Sequence, residues 1–207
     1  MPPENRIFII DGTAFIYRAF FAIRGLTNSK GRPTNAAFGF ARIMLKILRE
    51  HEPSHLAVVF DAPGPTFRHE MYSEYKATRD ETPPDLIDQL PLVDKLVAAF
   101  GFATFRVPGV EADDVIATLA DAAQEKGLAA VVVSGDKDLL QLVRDGVSVY
   151  DPHKGDSGKW YAADDVVERY GVTPEHIRDM FGLMGDSSDN VPGVKGIGEK
   201  TARKLLE

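Results

Sequence analysis

Three short apolar runs in this sequence each lead to an aspartate, and that repeated pattern restricts the possible folds more than any other feature. The runs cover residues 6–10, 56–60 and 129–133, and the aspartates that follow them are Asp11, Asp61 and Asp136. Each run has the length and unbroken apolar character of a strand buried in a parallel sheet. Because ligands bind beyond the carboxyl ends of such strands, we expect the three aspartates to meet in one crevice.

Helical patterns occupy the stretches between these runs. Residues 35–50 and 112–126 both place apolar side chains at the spacing of a helix that packs one face against a sheet. The alternation of strand and helix predicts an α/β domain. Beyond Tyr150 the composition becomes polar, and we expect short helices over residues 164–170 and 174–184 and no further strand.

The composition narrows the class of protein. With 44% hydrophobic and 27% charged residues and no apolar run of membrane length, we expect a soluble, cytoplasmic monomer without membrane contact. The absence of cysteine excludes disulfides, thiolate metal sites and thiol nucleophiles. The net charge of −7 disfavours nucleic acid as a partner, but setting aside nine of the 31 acidic residues as one site leaves 22 against 24 basic residues.

Six more carboxylates lie in three short motifs. Residues 110–115 contain Glu111, Asp113 and Asp114, residues 135–138 add Asp138, and residues 185–190 contribute Asp186 and Asp189. Taken alone, the group Glu111, Asp113 and Asp114 is explained as well by the preference of carboxylates for the first turn of a helix as by a metal site. Two carboxylates about 4 Å apart repel by roughly 4 kcal/mol at an effective dielectric constant of about 20, so the converging set requires cations. Such oxygen ligands favour two or more Mg²⁺ or Mn²⁺ ions, which suit phosphodiester hydrolysis.

Other motifs point to different chemistry, and each fails at a required position. Asp11-Gly12-Thr13 after a strand is similar to an aspartyl phosphatase motif, but Ile9 stands where the nucleophile is required. Residues 193–201 nearly match a phosphate-binding loop, but Glu199 replaces its lysine and no strand is expected before it. We expect core or groove packing, rather than base stacking, for Phe20, Phe21, Phe38 and Phe40.

Six motifs in chain order carry a family resemblance. They are Ile10-Asp-Gly12, Val59-Phe-Asp61, Tyr75-Lys-Ala-Thr-Arg79, Gly109-Val-Glu-Ala-Asp-Asp114, Gly135-Asp-Lys-Asp138, and the stretch from Gly185 to Gly198. Together they resemble the N-terminal 5′-nuclease, or flap endonuclease, domain of bacterial DNA polymerase I. The resemblance implies a PIN-like (resolvase-like) α/β nuclease core at residues 1–160, with a helical arch at about 62–90. It also implies a helical DNA-binding extension at 161–207 that contains the start of a helix-three-turn-helix element.

The resemblance further implies roles for individual residues. Ligands nearer a first metal ion would be Asp11, Asp61, Glu111, Asp113 and Asp114, and those nearer a second would be Asp136, Asp138, Asp186 and Asp189. Lys76 and Arg79 would face the scissile phosphate from the arch, where cations stabilise transition-state charge, and Tyr75 beside them would contact DNA. The alternative for Lys76 and Arg79 is a solvated pair in a loop.

The glycine-rich turn near the C-terminus is expected to hold duplex DNA without reading its bases. Its glycines permit close backbone approach and its lysines flank the amide groups, and these residues are Gly193, Lys195, Gly196, Gly198 and Lys200. The resemblance implies a K⁺ ion among the carbonyls of residues 193–198. The alternative is an ordinary loop between two helices.

The leading functional hypothesis is a structure-specific nuclease that acts on 5′ flaps, nicks and 5′ ends of DNA in primer removal and repair. An RNA primer strand is expected as a further substrate, and a linked or separate DNA polymerase as a partner. A PIN-type ribonuclease and a non-catalytic module that binds DNA structures are the alternatives. The arch and the turn disfavour the first, and the complete set of nine carboxylates disfavours the second. The sequence ends at Glu207, inside the helix expected from about Glu199, which leaves open a part of a longer protein or a stand-alone relative.

Overall fold

The computed structural model describes residues 5–207, and a six-stranded sheet forms its centre. The strands are β1 Arg6–Asp11, β2 His55–Val59, β3 Ala103–Phe105, β4 Ala129–Val133, β5 Val147–Asp151 and β6 Lys159–Tyr161. Their order across the sheet is β3-β2-β1-β4-β5-β6, with β1 to β5 parallel and β6 antiparallel to β5. The first four residues of the predicted nuclease core lie outside the described residues.

The three strands that the sequence predicted are neighbours in the middle of the sheet, in the order β2-β1-β4. Their register pairs Asp11 with Val59 and Ile10 with Val133. Because all three strands are parallel, Asp11, Asp61 and the segment that follows β4 leave the sheet along the same edge. The predictions of an α/β fold and of these strands are confirmed.

Helices cover both faces of the sheet. In chain order they are α1 Gly12–Ala22, α2 Asn35–His51, α3 Phe67–Met71, α4 Pro84–Ile87, α5 Leu90–Phe100, α6 Ala112–Glu125, α7 Ala163–Tyr170, α8 Ile177–Met184 and α9 Glu199–Leu206. Successive side chains of a strand point to opposite faces, so Phe8 and Ile10 pack with α1, α2 and α5, whereas Ile9 packs with α6 to α9. The result is a three-layer α/β/α arrangement. No helix within residues 5–207 is both long and apolar enough to cross a membrane.

Three strands after Tyr150 show that the expectation of no further strand there was wrong. They are β6, β7 Gly185–Asp186 and β8 Val191–Pro192, the last two forming an antiparallel hairpin. None exceeds three residues, which is too short to show the alternation of apolar and polar side chains typical of a strand. These strands are instead defined by pairing with a neighbour, as Trp160 is paired with Tyr150. The helix expected over 174–184 divides into a 3₁₀ turn at Pro174–His176 and α8.

Core packing is found for two of the four phenylalanines expected to pack in the core or a groove, and for the other two the expectation stays a prediction. Phe40 is fully buried and Phe20 packs against the core, whereas Phe21 and Phe38 are 59% and 49% exposed. The buried stripes of α1 and α2 pass through residues such as Phe15 and Phe40, and the exposed pair lies off these stripes. Their exposure follows from helical phase, which a list of aromatic residues does not reveal.

Candidate active site

The predicted site residues surround a crevice at the carboxyl edge of the sheet. This catalytic crevice has a volume of about 530 Å³. Its predicted carboxylates are Asp11, Asp61, Glu111, Asp113, Asp136, Asp138 and Asp189, and Asp80, which was not predicted, also lines it. A side cavity of about 350 Å³ adjoins it and carries Glu111, Asp113, Asp114, Asp138, Asp186 and Asp189. All nine predicted carboxylates therefore line one or both spaces. The expected meeting of the three strand-end aspartates in one crevice is confirmed.

A serine that the sequence analysis did not single out connects two of the strand ends. Asp11 ends β1 and caps α1, where its Oδ1 accepts a hydrogen bond from Ala14 N–H at 3.0 Å. The hydroxyl of Ser134 donates to Asp11 Oδ2 at 2.7 Å and accepts from the backbone N–H of Asp136 at 3.0 Å. The position of Ser134, between the end of β4 and the Gly135-Asp136 motif, was the available signal.

The other carboxylates are placed by α6 and the segments that meet it. Asp61 Oδ1 accepts from the N–H of Ala112 at 2.9 Å, which ties the end of β2 to the start of α6. Asp114 accepts from the N–H of Glu111 at 3.0 Å, so this carboxylate does cap its helix. Both readings of the 111–114 group thus apply, because Glu111 and Asp113 also line the catalytic crevice.

Crowding and burial raise the pKa of three carboxyl groups in the crevice. Burial, followed by the charges of Asp11, Asp136 and Asp61, raises the pKa of Asp113 to about 8. Burial also raises the pKa of Asp11 to about 6, although hydrogen bonds from Ala14 and Ser134 oppose the shift. Burial and the charge of Asp136 raise the pKa of Asp138 to about 6. These groups are in surroundings that disfavour their negative charge unless a cation is added.

Side-chain cations already contact four of the other six predicted carboxylates. The contacts are Lys76 Nζ to Glu111 Oε1 at 2.6 Å, Arg79 Nη2 to Asp189 Oδ1 at 2.5 Å, Lys137 Nζ to Asp186 Oδ2 at 2.6 Å, and Arg68 to both oxygens of Asp114 at 2.6 and 2.8 Å. The hydroxyl of Tyr75 lies 2.9 Å from Glu111 Oε2 and 3.0 Å from Asp189 Oδ2, so its single proton can bond to either carboxylate. Against the effect of burial, hydrogen bonds from Lys137 and Ser188 lower the pKa of Asp186 to about 2. Arg68 and Lys137 were not predicted as site residues.

The donor set fits a hard divalent cation in its chemistry, although the side chains do not enclose a coordination sphere. Within residues 5–207, no group of three or more Asp, Glu, His or Cys side chains is arranged so that it could hold a metal ion. Asp138 Oδ1, however, is a buried acceptor without a hydrogen-bond partner in the described part of the chain. The ammonium of Lys137 lies 3.6 Å from this oxygen, too far for a hydrogen bond. A buried carboxylate oxygen without a hydrogen bond, in the same crevice as the raised carboxyls of Asp11 and Asp113, suits a divalent cation. The individual ligand assignments stay predictions.

The segment expected to form the arch lies beside the crevice and contacts the β7–β8 hairpin. The backbone N–H of Lys76 donates to the carbonyl of Asp189 at 2.9 Å, and the side chain of Asn190 donates to the carbonyl of Glu74 at 2.8 Å. Lys76 and Asn190 both have a φ of 56°, the left-handed region that non-glycine residues rarely adopt. The two predicted arch cations thus lie at the crevice, and each contacts a carboxylate rather than solvent alone.

The glycine-rich turn lies between the β7–β8 hairpin and α9. A Cβ on Gly193 would come within 2.3 Å of the carbonyl carbon of Met184, so this glycine is required by the packing of the chain on itself. Gly196 has a φ of +85°, whereas Gly198 directly precedes α9. The lysines at 195 and 200 are exposed. The close approach expected of these glycines is therefore, at Gly193, an approach to the protein's own backbone.

Comparisons with known proteins agree with this geometry. Residues 6–171 match the 5′-3′ exonuclease N-terminal resolvase-like domain, and residues 172–207 match the 5′-3′ exonuclease C-terminal SAM fold. DNA polymerase I of Bacillus subtilis is 48% identical over all of this chain, which covers 24% of that relative. A 5′-3′ exonuclease of Aquifex aeolicus is 42% identical, with 97% of this chain and 68% of the relative covered.

Solved structures give the same result for the fold. The D15 protein of T5, co-crystallised with metal ions, superposes with a TM-score of 0.79 at 26% identity, covering 97% of this chain and 74% of that one. A T5 D15 flap endonuclease in a complex with DNA and metal ions gives a TM-score of 0.75 at 27% identity over the same shares of the two chains. The PIN-like, resolvase-like architecture is thereby confirmed.

The chain spans about a quarter of the length of the DNA polymerase I relatives that it matches. The two domain matches nevertheless adjoin at residues 171 and 172 and together cover residues 6–207. The chain belongs to the 5′-3′ exonuclease family.

Proposed function

We propose that this chain is a divalent-metal-dependent nuclease that hydrolyses phosphodiester bonds at 5′ flaps and 5′ ends of DNA. The observation that carries the proposal is that carboxylates with raised pKa values and two side-chain cations line the same crevice. The carboxylates are Asp11 and Asp113, and the cations are Lys76 and Arg79. A phosphodiester between them would meet both requirements of phosphoryl transfer, a metal-binding floor and cationic donors.

Mg²⁺ or Mn²⁺, as two or more ions, is the proposed cofactor. The strand-end carboxylates of Asp11, Asp61 and Asp136, together with Asp113 of α6 and Asp138, would hold the ions. When bound, such ions activate water and neutralise the charge that develops on the phosphate. Lys76 and Arg79 would move from their present carboxylates to the phosphate oxygens, where they orient the scissile bond. The solved T5 relatives that contain metal ions support the metal dependence.

The duplex beside the flap is proposed to lie against the turn at residues 193–198. Lys195 and Lys200 are exposed beside this turn, and a K⁺ ion among its carbonyls would bridge the protein and a backbone phosphate. Contacts of this kind position a duplex without reading its sequence. A DNA polymerase, as in the relatives named above, is the proposed partner, and an RNA primer strand is a proposed second substrate. The chain itself is proposed to act as a monomer.

The test uses a 5′-labelled flap duplex, incubated with the protein in Mg²⁺, in Mn²⁺ and in excess EDTA. We expect release of the flap with either metal ion and none with EDTA. A labelled single-stranded RNA of the same length and sequence tests the ribonuclease alternative. Preferential cleavage of that RNA would contradict the proposal. Binding without cleavage in every metal would instead support the non-catalytic alternative.

The proposed duplex contact has its own measurement in Ca²⁺, which allows binding without turnover to be followed. Lys195→Ala and Lys200→Ala should weaken binding equally for all duplex sequences and flatten the plot of log K against log salt by about 0.9 per lost phosphate contact. Lys30→Ala, at an exposed loop position, is the matched control. An unchanged slope and affinity in both variants would show that the duplex is held elsewhere.

A further inference from the structure

An apolar pocket of about 460 Å³ lies beside the catalytic crevice and takes no part in the chemistry described above. Thr13, Tyr17 and Asp61 line both spaces, so the two share a wall. The remaining sides come from α5 and from both ends of the 62–90 segment, and include Ala62, Pro63, Thr82, Ile87 and Leu90. Its volume lies within the range of pockets that bind small organic groups.

Two lining residues of this apolar pocket, Phe60 and Arg106, contact each other and are held by their neighbours. The ring of Phe60 lies against the backbone of Gly12, where a Cβ would come within 2.4 Å of the ring, so a glycine is needed there. The guanidinium of Arg106 lies 4.5 Å from the centre of the same ring, and Asp94 holds it with a 2.6 Å contact. A guanidinium fixed on an aromatic ring presents a planar outer face on which a nucleobase can stack.

The charges around the pocket favour an uncharged occupant. Arg106 is the one cation among the lining residues within 5–207, and it is already paired with Asp94. Asp61 adds a negative charge at the shared wall. A phosphate would meet a net repulsion here, whereas a planar apolar group would meet Tyr17, Phe60 and aliphatic side chains. The pocket is therefore suited to a base and the neighbouring crevice to a phosphate.

We propose that the apolar pocket binds the base of the unpaired nucleotide that adjoins the scissile phosphate on the flap side. The inference rests on the proposed function, which places that phosphate between the crevice carboxylates and Lys76. The apolar pocket shares Thr13, Tyr17 and Asp61 with that crevice, and the 62–90 segment forms another of its sides, so a base next to the phosphate can reach it. Tyr17 and Thr82 share a 2.5 Å hydrogen bond that joins α1 to the segment at the pocket. Stacking of this kind accepts any base.

The test compares two 5′-flap duplexes that differ only at the first unpaired nucleotide, in Ca²⁺ so that no cleavage occurs. One carries the fluorescent base 2-aminopurine there and the other an abasic site. For the unchanged protein we expect the fluorescence of 2-aminopurine to fall on binding. We also expect the abasic flap to bind about tenfold more weakly, the scale of one lost stacking contact.

Two variants and one control assign the effect to the pocket. Ile87→Trp places a large side chain at a half-exposed lining position, and Arg106→Gln removes the planar cation. Both should lose the preference for the base-containing flap while binding the abasic flap as the unchanged protein does. Leu92→Trp alters a similarly exposed position of α5 that does not line the pocket, and it should keep the preference. Thermal melting of each variant checks that it is folded.

The outcomes separate this inference from the proposed function. Equal affinity of the unchanged protein for both flaps, with unchanged fluorescence, overturns the base-binding pocket. If the same flaps are still cut in Mg²⁺, the nuclease proposal stands and the inference alone fails. If neither flap is cut in Mg²⁺ or Mn²⁺, the nuclease proposal fails and the inference fails with it.

Discussion

The carboxylates of the catalytic crevice and its side cavity form two halves, in which the repulsion between negative charges is reduced in different ways. Around Asp11 and Asp113, which are attached to the sheet and α6, the pKa values rise to about 6 and 8 and no lysine or arginine forms an ion pair with either side chain within residues 5–207. Around Asp186 and Asp189, attached to the β7–β8 hairpin, Lys137 and Arg79 contact the carboxylates directly. The first half, which we call the unpaired half, has an excess of negative charge that a bound cation can neutralise. The second, which we call the paired half, is neutralised by its own lysine and arginine side chains.

The largest expected effect comes from removing a carboxylate of the unpaired half. Asp136→Ala should lower the cleavage rate in millimolar Mg²⁺ about 10³-fold or more, because a bound ion supplies several kcal/mol to the transition state and each 1.36 kcal/mol is tenfold in rate. Single-turnover cleavage of a labelled flap measures the loss. Asp156→Ala, at an exposed loop position, is the control. Near-normal cleavage by Asp136→Ala would remove the distinction between the two halves.

Removing the arch cations should have a smaller effect on rate and little effect on binding. Lys76→Ala and Arg79→Ala are each expected to lower single-turnover cleavage by about 10²–10³, the scale of one lost transition-state donor. Titration with a flap duplex in Ca²⁺ measures affinity separately. If both variants bound more weakly but cut normally once saturated, the cations of the paired half would serve only for docking.

Removing a carboxylate of the unpaired half should stabilise the metal-free protein, although it lowers the cleavage rate. Because the pKa of Asp113 is raised to about 8 in the fold, this carboxyl destabilises the fold progressively as pH rises from about 4 towards 8. Asp113→Asn should remove that part of the pH dependence and raise the Tm at pH 8 in EDTA by at least about 2–4 °C, the shift that about 1 kcal/mol gives in a chain of this size. Saturating Mg²⁺ should reverse the order of the two proteins. Superimposable melting curves at every pH would show that the unpaired half is not under strain.

The smallest effect is expected where a side-chain cation already sits on a carboxylate. Lys137→Met keeps the length of the side chain but frees Asp186, so Mn²⁺ should bind up to about fivefold more tightly, since a partly exposed ion pair contributes at most about 1 kcal/mol. Isothermal titration with Mn²⁺ measures the change. Lys159→Met, which breaks a comparable pair with Asp165 elsewhere, should leave the affinity unchanged. Weaker Mn²⁺ binding by Lys137→Met would mean that the ammonium supports the metal site.

The sequence allowed the convergence of the unpaired half to be predicted from a local pattern. For the paired half it indicated Asp186, Asp189 and Arg79 as site residues but not the ion pairs that they form. The strand-end aspartates follow from a local apolar pattern and from the rule that parallel strands end at one edge. The partners of Asp114, Asp186 and Asp189, by contrast, are 46, 49 and 110 residues away in the chain. Such pairs depend on the path of the loops, which no periodic pattern encodes. The short strands β6 to β8 escaped prediction for the same reason.

The contact between Gly185 and Gly193 has a consequence for genetics. A Cβ on Gly185 would meet the backbone nitrogen of Gly193 at 2.5 Å, so the start of the turn and the hairpin with Asp186 and Asp189 meet with no side chain between them. Any substitution at Gly193 would therefore displace those carboxylates as well as the turn. A mutant selected at this glycine for lost DNA binding would also lose cleavage, because the carboxylates would be displaced. Substitutions at the exposed Lys195 and Lys200 would change DNA binding without moving the carboxylates.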